Sequence, residues 1–288
     1  MLTDEQAQFL HDEKAALTDA LLRLNEINSS ADSLSQLQQA ILQLDELFLL
    51  VFVGEFNSGK SALINALLGE KVLIEGVTPT TSRVTLVRWG EQRSERVVEQ
   101  GYAVITHPLP LLQELNIVDS PGTNAIIREH ERLTDEFVPR SDLVLFITSA
   151  DRPLTESERQ FLQRILAWGK KIVFVLNKTD ILQDESAITE VTQYILANAA
   201  ILLGETPQLF PVSARLAQQA ALALDPLEKQ RLRLASGLDA LETFILSTLE
   251  DTSRLQLKFL NPLGVADNLA SQASASINSQ SDDLEYDR

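Results

Sequence analysis

Gly54, Gly59, Lys60 and Ser61 stand at the spacing G-x-x-x-x-G-K-S, directly after the apolar stretch 50–53. An apolar strand that enters a glycine turn and then opens a helix has the context of a phosphate loop. Backbone N–H groups of the turn and of the first helical turn make an anion site. The phosphate-binding residues expected from this pattern are Glu55, Phe56, Asn57, Ser58, Gly59, Lys60, Ser61 and Ala62. Lys60 is expected to reach the β- and γ-phosphates, and the Ser61 hydroxyl to ligate Mg²⁺.

Three later stretches extend that chemistry. The loop Gly76-Val77-Thr78-Pro79-Thr80-Thr81 offers a threonine hydroxyl or carbonyl to Mg²⁺ and the γ-phosphate. Thr80 is the first choice and Thr81 the second. Asp119 ends the strand-like run Leu115-Asn116-Ile117-Val118 and is followed by Ser120-Pro121-Gly122. A carboxylate at that tip holds Mg²⁺ through water, and Gly122 can give its N–H to the γ-phosphate. Loss of that N–H contact on hydrolysis releases the loop and turns chemistry into movement. The tetrad Asn177-Lys178-Thr179-Asp180 selects the base. The Asp180 carboxylate can accept from guanine N1–H and from its 2-amino group, a donor pair that adenine lacks. Asn177 orients the loop and can bond the N7 side, and the Lys178 stem covers the base plane. Ser213, Ala214 and Arg215 follow one more strand, and their backbone braces the guanine oxygen. GTP and GDP are therefore the expected substrate and product, with Mg²⁺ as cofactor.

The elements that carry these residues alternate strand and helix. Strands are expected near 47–53, 84–89, 102–107, 115–119, 143–147, 171–176 and 209–212. The charged stretch from Gly90 to Gln100 reads as a hairpin turn region. Run 143–147 is continuously apolar, as a strand buried on both faces requires. Helices are expected at 62–68, 124–138, 154–168, 215–224 and 226–234. Ligands of an open α/β sheet lie at the carboxyl ends of its strands, where the strand-borne motifs sit. The expected fold is α/β, a P-loop GTPase three-layer sandwich with a mostly parallel central sheet. Two helices precede it, one at 4–27 and a second carrying Leu34, Leu37, Ile41 and Leu44. Their apolar stripes need burial. A stripe from Leu238 through Leu255 towards Phe259 is their expected partner in a small helical bundle, with Asn261-Pro262 ending it.

Composition bounds the partners. The 288 residues are 44% hydrophobic, enough for one large core and an appendage or for two small domains. The formal net charge of −17 disfavours nucleic acid, and no nucleic-acid partner is expected. With no cysteine, disulfides and thiolate metal sites are excluded. The acidic N-terminus lacks the order of a signal peptide. No apolar run approaches the length of a membrane span, so none is expected.

The chain resembles bacterial dynamin-like proteins of the branch related to mitofusins. The matching pieces are the phosphate loop in its form Gly54-Glu55-Phe56-Asn57-Ser58-Gly59-Lys60-Ser61, Ile64-Asn65-Ala66-Leu67-Leu68-Gly69 and Val77-Thr78-Pro79-Thr80-Thr81. Ile105-Thr106-His107-Pro108, Ile117-Val118-Asp119-Ser120-Pro121-Gly122 and Asn177-Lys178-Thr179-Asp180 complete the match. The resemblance covers roughly residues 1–260. It implies GTP hydrolysis coupled to membrane fusion, fission or tubulation. It implies a homodimer through the GTPase domains when nucleotide is bound, and a helical neck flanking that domain. The implied division is neck helices at 1–45, the GTPase domain at 46–235, a C-terminal neck helix at 236–262 and a polar, mobile tail at 263–288. The implied location is cytoplasmic and peripherally membrane-associated in the full-length protein. The family continues for several hundred residues into a trunk and lipid-binding tip. The chain is thus expected to be an excised GTPase portion or a short homologue, with lipid bound through regions it lacks.

Phe56 departs from the dynamins that place glutamine there to position the attacking water. A phenyl ring cannot orient water by hydrogen bonding, so the role passes to backbone or to Thr80, and slow basal turnover is expected. The segment between Thr81 and Asp119 is also shorter than in many relatives. Lys60, Ser61 and Thr80 are the expected catalytic residues, and Ser61, Thr80 and Asp119 the metal set. His107 reads as structural. Arg83 reads as a surface arginine, with charge supplied in cis or across a dimer as its alternative. The rival functions are a ribosome- or RNA-associated GTPase and a non-hydrolysing GTP-binding module.

Overall fold

The structure, a computed structural model, describes residues 4–27, 29–44, 46–75, 83–99, 101–120, 136–249 and 251–286. Its centre is one eight-stranded sheet. The strands are β1 (Phe48–Gly54), β2 (Val84–Trp89), β3 (Ser94–Glu99), β4 (Tyr102–His107), β5 (Leu115–Asp119), β6 (Leu143–Ser149), β7 (Ile172–Asn177) and β8 (Leu209–Pro211). Their order is β3-β4-β2-β5-β1-β6-β7-β8. The pairs β3/β4 and β2/β5 are antiparallel and the other neighbours are parallel. This is the P-loop GTPase fold expected from the strand and motif order.

The sheet is covered on both faces, which explains the unbroken apolar runs of its middle strands. All seven residues of β1 and all seven of β6 are buried. Successive residues of β1 face opposite sides. Phe48, Leu50 and Phe52 join a core under α3 (Lys60–Leu68), α6 (Ala214–Leu222) and α8 (Leu238–Thr248). Leu49, Val51 and Val53 join the opposite core, under α4 (Glu156–Leu166), α5 (Glu185–Leu203) and the helical bundle. The remaining helix of this part, α7 (Pro226–Ser236), packs against α6. Register across the middle is direct: Val51 lies opposite Val118 of β5 and Val144 of β6. β5, β1, β6 and β7 therefore end together, and the loops after them converge.

The bundle is made of α1 (Asp4–Glu26), α2 (Ala31–Gln43) and α9 (Asp251–Tyr286), each in contact with the other two. Leu17 and Leu24 of α1, Leu37 and Ala40 of α2, and Val265 and Leu269 of α9 are buried in the same core as one face of the sheet. Gly264 of α9 makes the close approach possible. A Cβ there would stand 3.0 Å from the Trp168 carbonyl oxygen, on the turn between α4 and β7. A polar cluster seals the junction. Asp142, at the foot of β6, accepts from Leu49 N–H at 2.7 Å and from Asn261 Nδ2 at 3.2 Å. Lys258 Nζ lies 3.5 Å from the same carboxylate and donates to the Gln43 carbonyl at 2.8 Å. Lys170 Nζ donates to the Asn261 carbonyl at 3.3 Å. All of these side chains are buried. Burial pushes the Asp142 carboxyl up, against the pull of Lys258, and pushes the Lys170 amine down to about 7.

Three sequence expectations are corrected. The stripe expected at 236–262 is two helices: α8 ends at Thr248 and puts Leu238, Leu241 and Ile245 on the sheet, so only α9 joins the bundle. Pro262 does not end α9, which runs through it to Tyr286. The small-residue stretch after it, read as a mobile tail, still presents Val265 and Leu269 four residues apart, and both are buried. Third, the hairpin region at 90–100 contains strand β3, whose six residues are all exposed. An edge strand with no buried face carries no alternation to read. Separately, α5 is long and apolar enough, by length and composition alone, to cross a membrane, with mean hydropathy 1.2. Interspersed Thr, Gln and Asn hide it from a search for apolar runs. Its Ile195 and Ala199 are buried against the sheet. The helix expected at 124–138 lies mostly outside the described residues.

Candidate functional site

The phosphate loop connects the end of β1 to α3. Gly59 is the N-cap of α3 with φ +88°, and a Cβ there would stand 2.3 Å from Asn177 Nδ2. Only glycine combines that backbone with that approach. Lys60 folds back over the loop. Its Nζ donates to the Gly54 carbonyl at 3.0 Å and to the Glu55 carbonyl at 2.9 Å. The side chain is buried, and burial lowers its amine to about 8 against the opposing pull of Asp119. A cation held by two carbonyls in a dry loop is poised for an anion.

Ser61 and Asp119 meet beside it. Ser61 Oγ donates to Asp119 Oδ2 at 2.6 Å. Asp119 is 1% exposed, and burial raises its carboxyl to about 6, with Lys60 and the Ser61 hydroxyl opposing. Its Oδ1 has no hydrogen-bond partner among the described residues, and neither do the buried Ser58 and Ser120 hydroxyls. One carboxylate with an unused oxygen and one hydroxyl make a hard, oxygen-only donor set. That set fits Mg²⁺, which keeps waters and phosphate oxygens as its other ligands.

The tetrad is bound to the loop from the far side of the sheet centre. Asn177, 2% exposed at the end of β7, donates from Nδ2 to the Ser58 carbonyl at 2.9 Å and the Gly59 carbonyl at 3.4 Å. Its Oδ1 accepts from Lys178 N–H at 2.8 Å and Ala214 N–H at 3.1 Å. Asn177 thus ties three loops together, and its amide is spent on the protein rather than presented to a base. Lys178 takes a left-handed conformation, φ +64°, and its Nζ lies 3.4 Å from Asp151. The mostly buried Asp180 accepts from the Ser213 hydroxyl and stands 2.6 Å from the Arg215 guanidinium. Each carboxylate oxygen has two lone pairs, so both can still accept N–H groups from a base edge.

The structure therefore gathers Lys60, Ser61 and Asp119 at one end and Asn177, Lys178, Asp180, Ser213, Ala214 and Arg215 at the other, with 55–59 between. Thr80, Thr81 and Gly122 lie outside the described residues. His107 lies beyond the opposite end of α3, 3.4 Å from Glu70, and Arg83 pairs with Glu95.

Motif reading missed the residues that hold the site in place. Asn65, fully engaged, accepts from Val72 and Leu73 N–H and donates to the Leu73 carbonyl and to Glu75. Gln218 of α6 donates to Glu75 at 2.8 Å and to the Ala62 carbonyl at 3.0 Å. On the other side of the loop Ser157 Oγ donates to Glu55 Oε1 at 2.8 Å. Glu158 accepts from Thr148 Oγ1 at 2.9 Å and Thr155 N–H at 3.1 Å. The signal for Glu158 was present as Thr155-Glu156-Ser157-Glu158, a helix capping box.

Comparison with known proteins agrees with this geometry. Residues 49–178 match a family model described as 50S ribosome-binding GTPase. The chain is 40% identical, in an alignment covering 95% of its length, to a probable transmembrane GTPase, FZO-like and chloroplastic, of Arabidopsis thaliana. It is 28% identical to the bacterial dynamin-like protein of Nostoc punctiforme over 46% of its length. The chain carries a GTPase domain homologous to bacterial dynamin-like proteins and related P-loop GTPases. Those related GTPases include the tRNA modification GTPase MnmE of Geobacter sulfurreducens, 32% identical over 46% of the chain. The GTPase domain and the bundle together superpose on a solved bacterial dynamin with TM-score 0.62 at 18% identity, covering 100% of this chain and 50% of that one. That structure belongs to an oligomerised dynamin pair described as sensing and tethering membranes. The chain spans 32% of the Arabidopsis relative and 25% of the Nostoc one.

Proposed function

We propose that this chain hydrolyses GTP with Mg²⁺ and that nucleotide controls the pairing of its GTPase domain with a second copy. The observation that carries the reading is the Asn177 amide bonded to the Ser58 and Gly59 carbonyls. It sets a base-reading tetrad at a fixed distance from a phosphate loop, the arrangement a guanine nucleotide spans. Asp180 reads the guanine edge, and the backbone at Ser213, Ala214 and Arg215 braces its oxygen. Lys60 and the loop amides from Glu55 to Ala62 stabilise charge on the transferring group. Ser61, Thr80 and, through water, Asp119 would hold Mg²⁺, which would supply positive charge to the transferring phosphate. Thr80 and Gly122 sense the γ-phosphate. Among the described residues no side chain beside the loop serves as a general base, and Phe56 cannot orient water by hydrogen bonding, so slow hydrolysis is expected of the isolated domain.

In the longer protein the output is membrane remodelling, by fusion, fission or tubulation, with peripheral attachment from the cytoplasm. This is favoured over a ribosomal or RNA role because the alignment to the FZO-like relative runs through the bundle, whereas that to MnmE covers 46% of the chain. The net charge of −17 supports the same choice. Multiple-turnover phosphate release from MgGTP, abolished in Lys60→Ala, tests hydrolysis. A GTP complex that forms without turnover makes the domain a binding module instead. A rate per chain that climbs with protein concentration tests pairing. Retention on RNA at moderate salt refutes the membrane reading.

A further inference from the structure

We propose that the cleft between α3, α6 and α7 is a binding site for a single-chain anionic amphiphile, an alkyl body carrying a carboxylate or phosphate head. The cleft has a volume of about 920 Å³. That is the size of a small-molecule pocket, and such pockets are mostly apolar with a few placed polar groups. Ala66 of α3, Ala217, Ala221 and Leu222 of α6 and Pro226 of α7 supply the apolar wall. Leu222 is 81% exposed, a large apolar side chain left in water beside the opening. The wall draws on the second half of α3, whereas the phosphate loop opens its first turn, so the cleft is separate from the nucleotide site. The inference does not rest on GTP hydrolysis.

The polar side chains of the cleft decide the class of ligand. Most are already engaged. Glu75 accepts from Asn65 at 2.6 Å and from Gln218 at 2.8 Å. Arg233 pairs with Asp239 and Glu242, and Glu70 faces His107. Lys71 and Lys229 differ. Both line the cleft and are exposed, and among the described residues neither ammonium has a hydrogen-bond or ion-pair partner. In a chain of net charge −17, two unpaired cations on an apolar cleft call for an anion that brings its own apolar surface. Free phosphate would gain only the lysines, in water and screened by salt. A neutral alkyl chain would gain only the wall. An anionic amphiphile gains both, and each methylene it buries strengthens binding by up to about fourfold.

Calorimetric titration of the full chain with decyl phosphate, kept below the concentration at which it forms micelles, tests the site. The expected result is a submillimolar Kd, with weaker binding of decanol and none of inorganic phosphate at the same concentration. Lys71→Gln/Lys229→Gln should weaken decyl phosphate at least about tenfold and change decanol less than about threefold. Ala221→Phe, which puts a ring into the cleft from an exposed helical position, should weaken both ligands about tenfold or more. Absence of binding to the wild type overturns the inference without any variant. Decyl phosphate affinity unchanged in both variants, or displacement by GDP, places the ligand elsewhere and overturns it too. So does decanol binding as tightly as decyl phosphate, because the lysines then select nothing.

Discussion

Replacing Asp142 with alanine should detach the bundle from the sheet energetically before it affects any nucleotide contact. Asp142 is 2% exposed and accepts from Leu49 N–H at 2.7 Å, while Lys258 Nζ stands 3.5 Å away. The variant removes the carboxylate that faces the buried Lys258 ammonium and that accepts from the Leu49 amide. Removing one member of a buried ion pair costs about 3–5 kcal/mol, and that figure already includes much of the stranded-donor penalty. Urea unfolding monitored by circular dichroism reads it as a lower midpoint at an unchanged slope. The cycle with Lys258→Met makes the argument specific. Asp142→Ala/Lys258→Met should be less destabilised than the sum of its parents by more than about 1 kcal/mol, because the second change removes the charge the first one stranded. A loss below about 1 kcal/mol for Asp142→Ala, or additive parents, would refute the claim that this cluster holds the bundle on the sheet.

Gly59→Ala places a methyl 2.3 Å from Asn177 Nδ2 at φ +88°, so it should abolish GDP binding in a filter or calorimetric assay while leaving helix content intact. Asp180→Ala removes both expected acceptors of the guanine edge, and GDP affinity should fall at least about a hundredfold with no preference left over ADP. The Glu158 carboxyl, raised by burial to about 7 from 4.5 and facing Glu55 and Lys60, gives stability a pH dependence. Its folded value lies above the unfolded one, so its contribution is full below about pH 4.5 and is lost as pH rises through about 7. Urea midpoints between pH 4.5 and 7.5 should fall more steeply for the wild type than for Glu158→Gln, and parallel curves would exclude the assignment.

The phosphate loop, the Asp119 tip and the tetrad at 177–180 were legible because each is a local constraint. A glycine at a set offset, a lysine one step on, and a carboxylate after a β-run must appear in order along the chain, whatever surrounds them. The strands beneath them were legible for a related reason. A strand buried on both faces has to be apolar throughout, and 143–147 can be little else. The edge strand β3 was hidden by the converse, since nothing is demanded of a strand exposed on both sides. The course of α9 beyond Pro262 was hidden because two buried residues, Val265 and Leu269, suffice when glycine and other small residues let backbones approach closely.

By itself the sequence determined the fold class, the phosphate-loop and tetrad motifs and the presence of helices in need of a partner. Tertiary structure decided which helix that partner is, that α8 belongs to the sheet, and that Asn177 spends its amide on the Ser58 and Gly59 carbonyls. It also decided that Ser157, beside the capping glutamate, reaches Glu55 of the loop at a separation of 102. The physical reason is common to all of these. Hydrogen bonds to backbone, and burial against a distant strand, depend on where segments meet in space. Residue type constrains such contacts only weakly, and a single chain read in order holds no record of them.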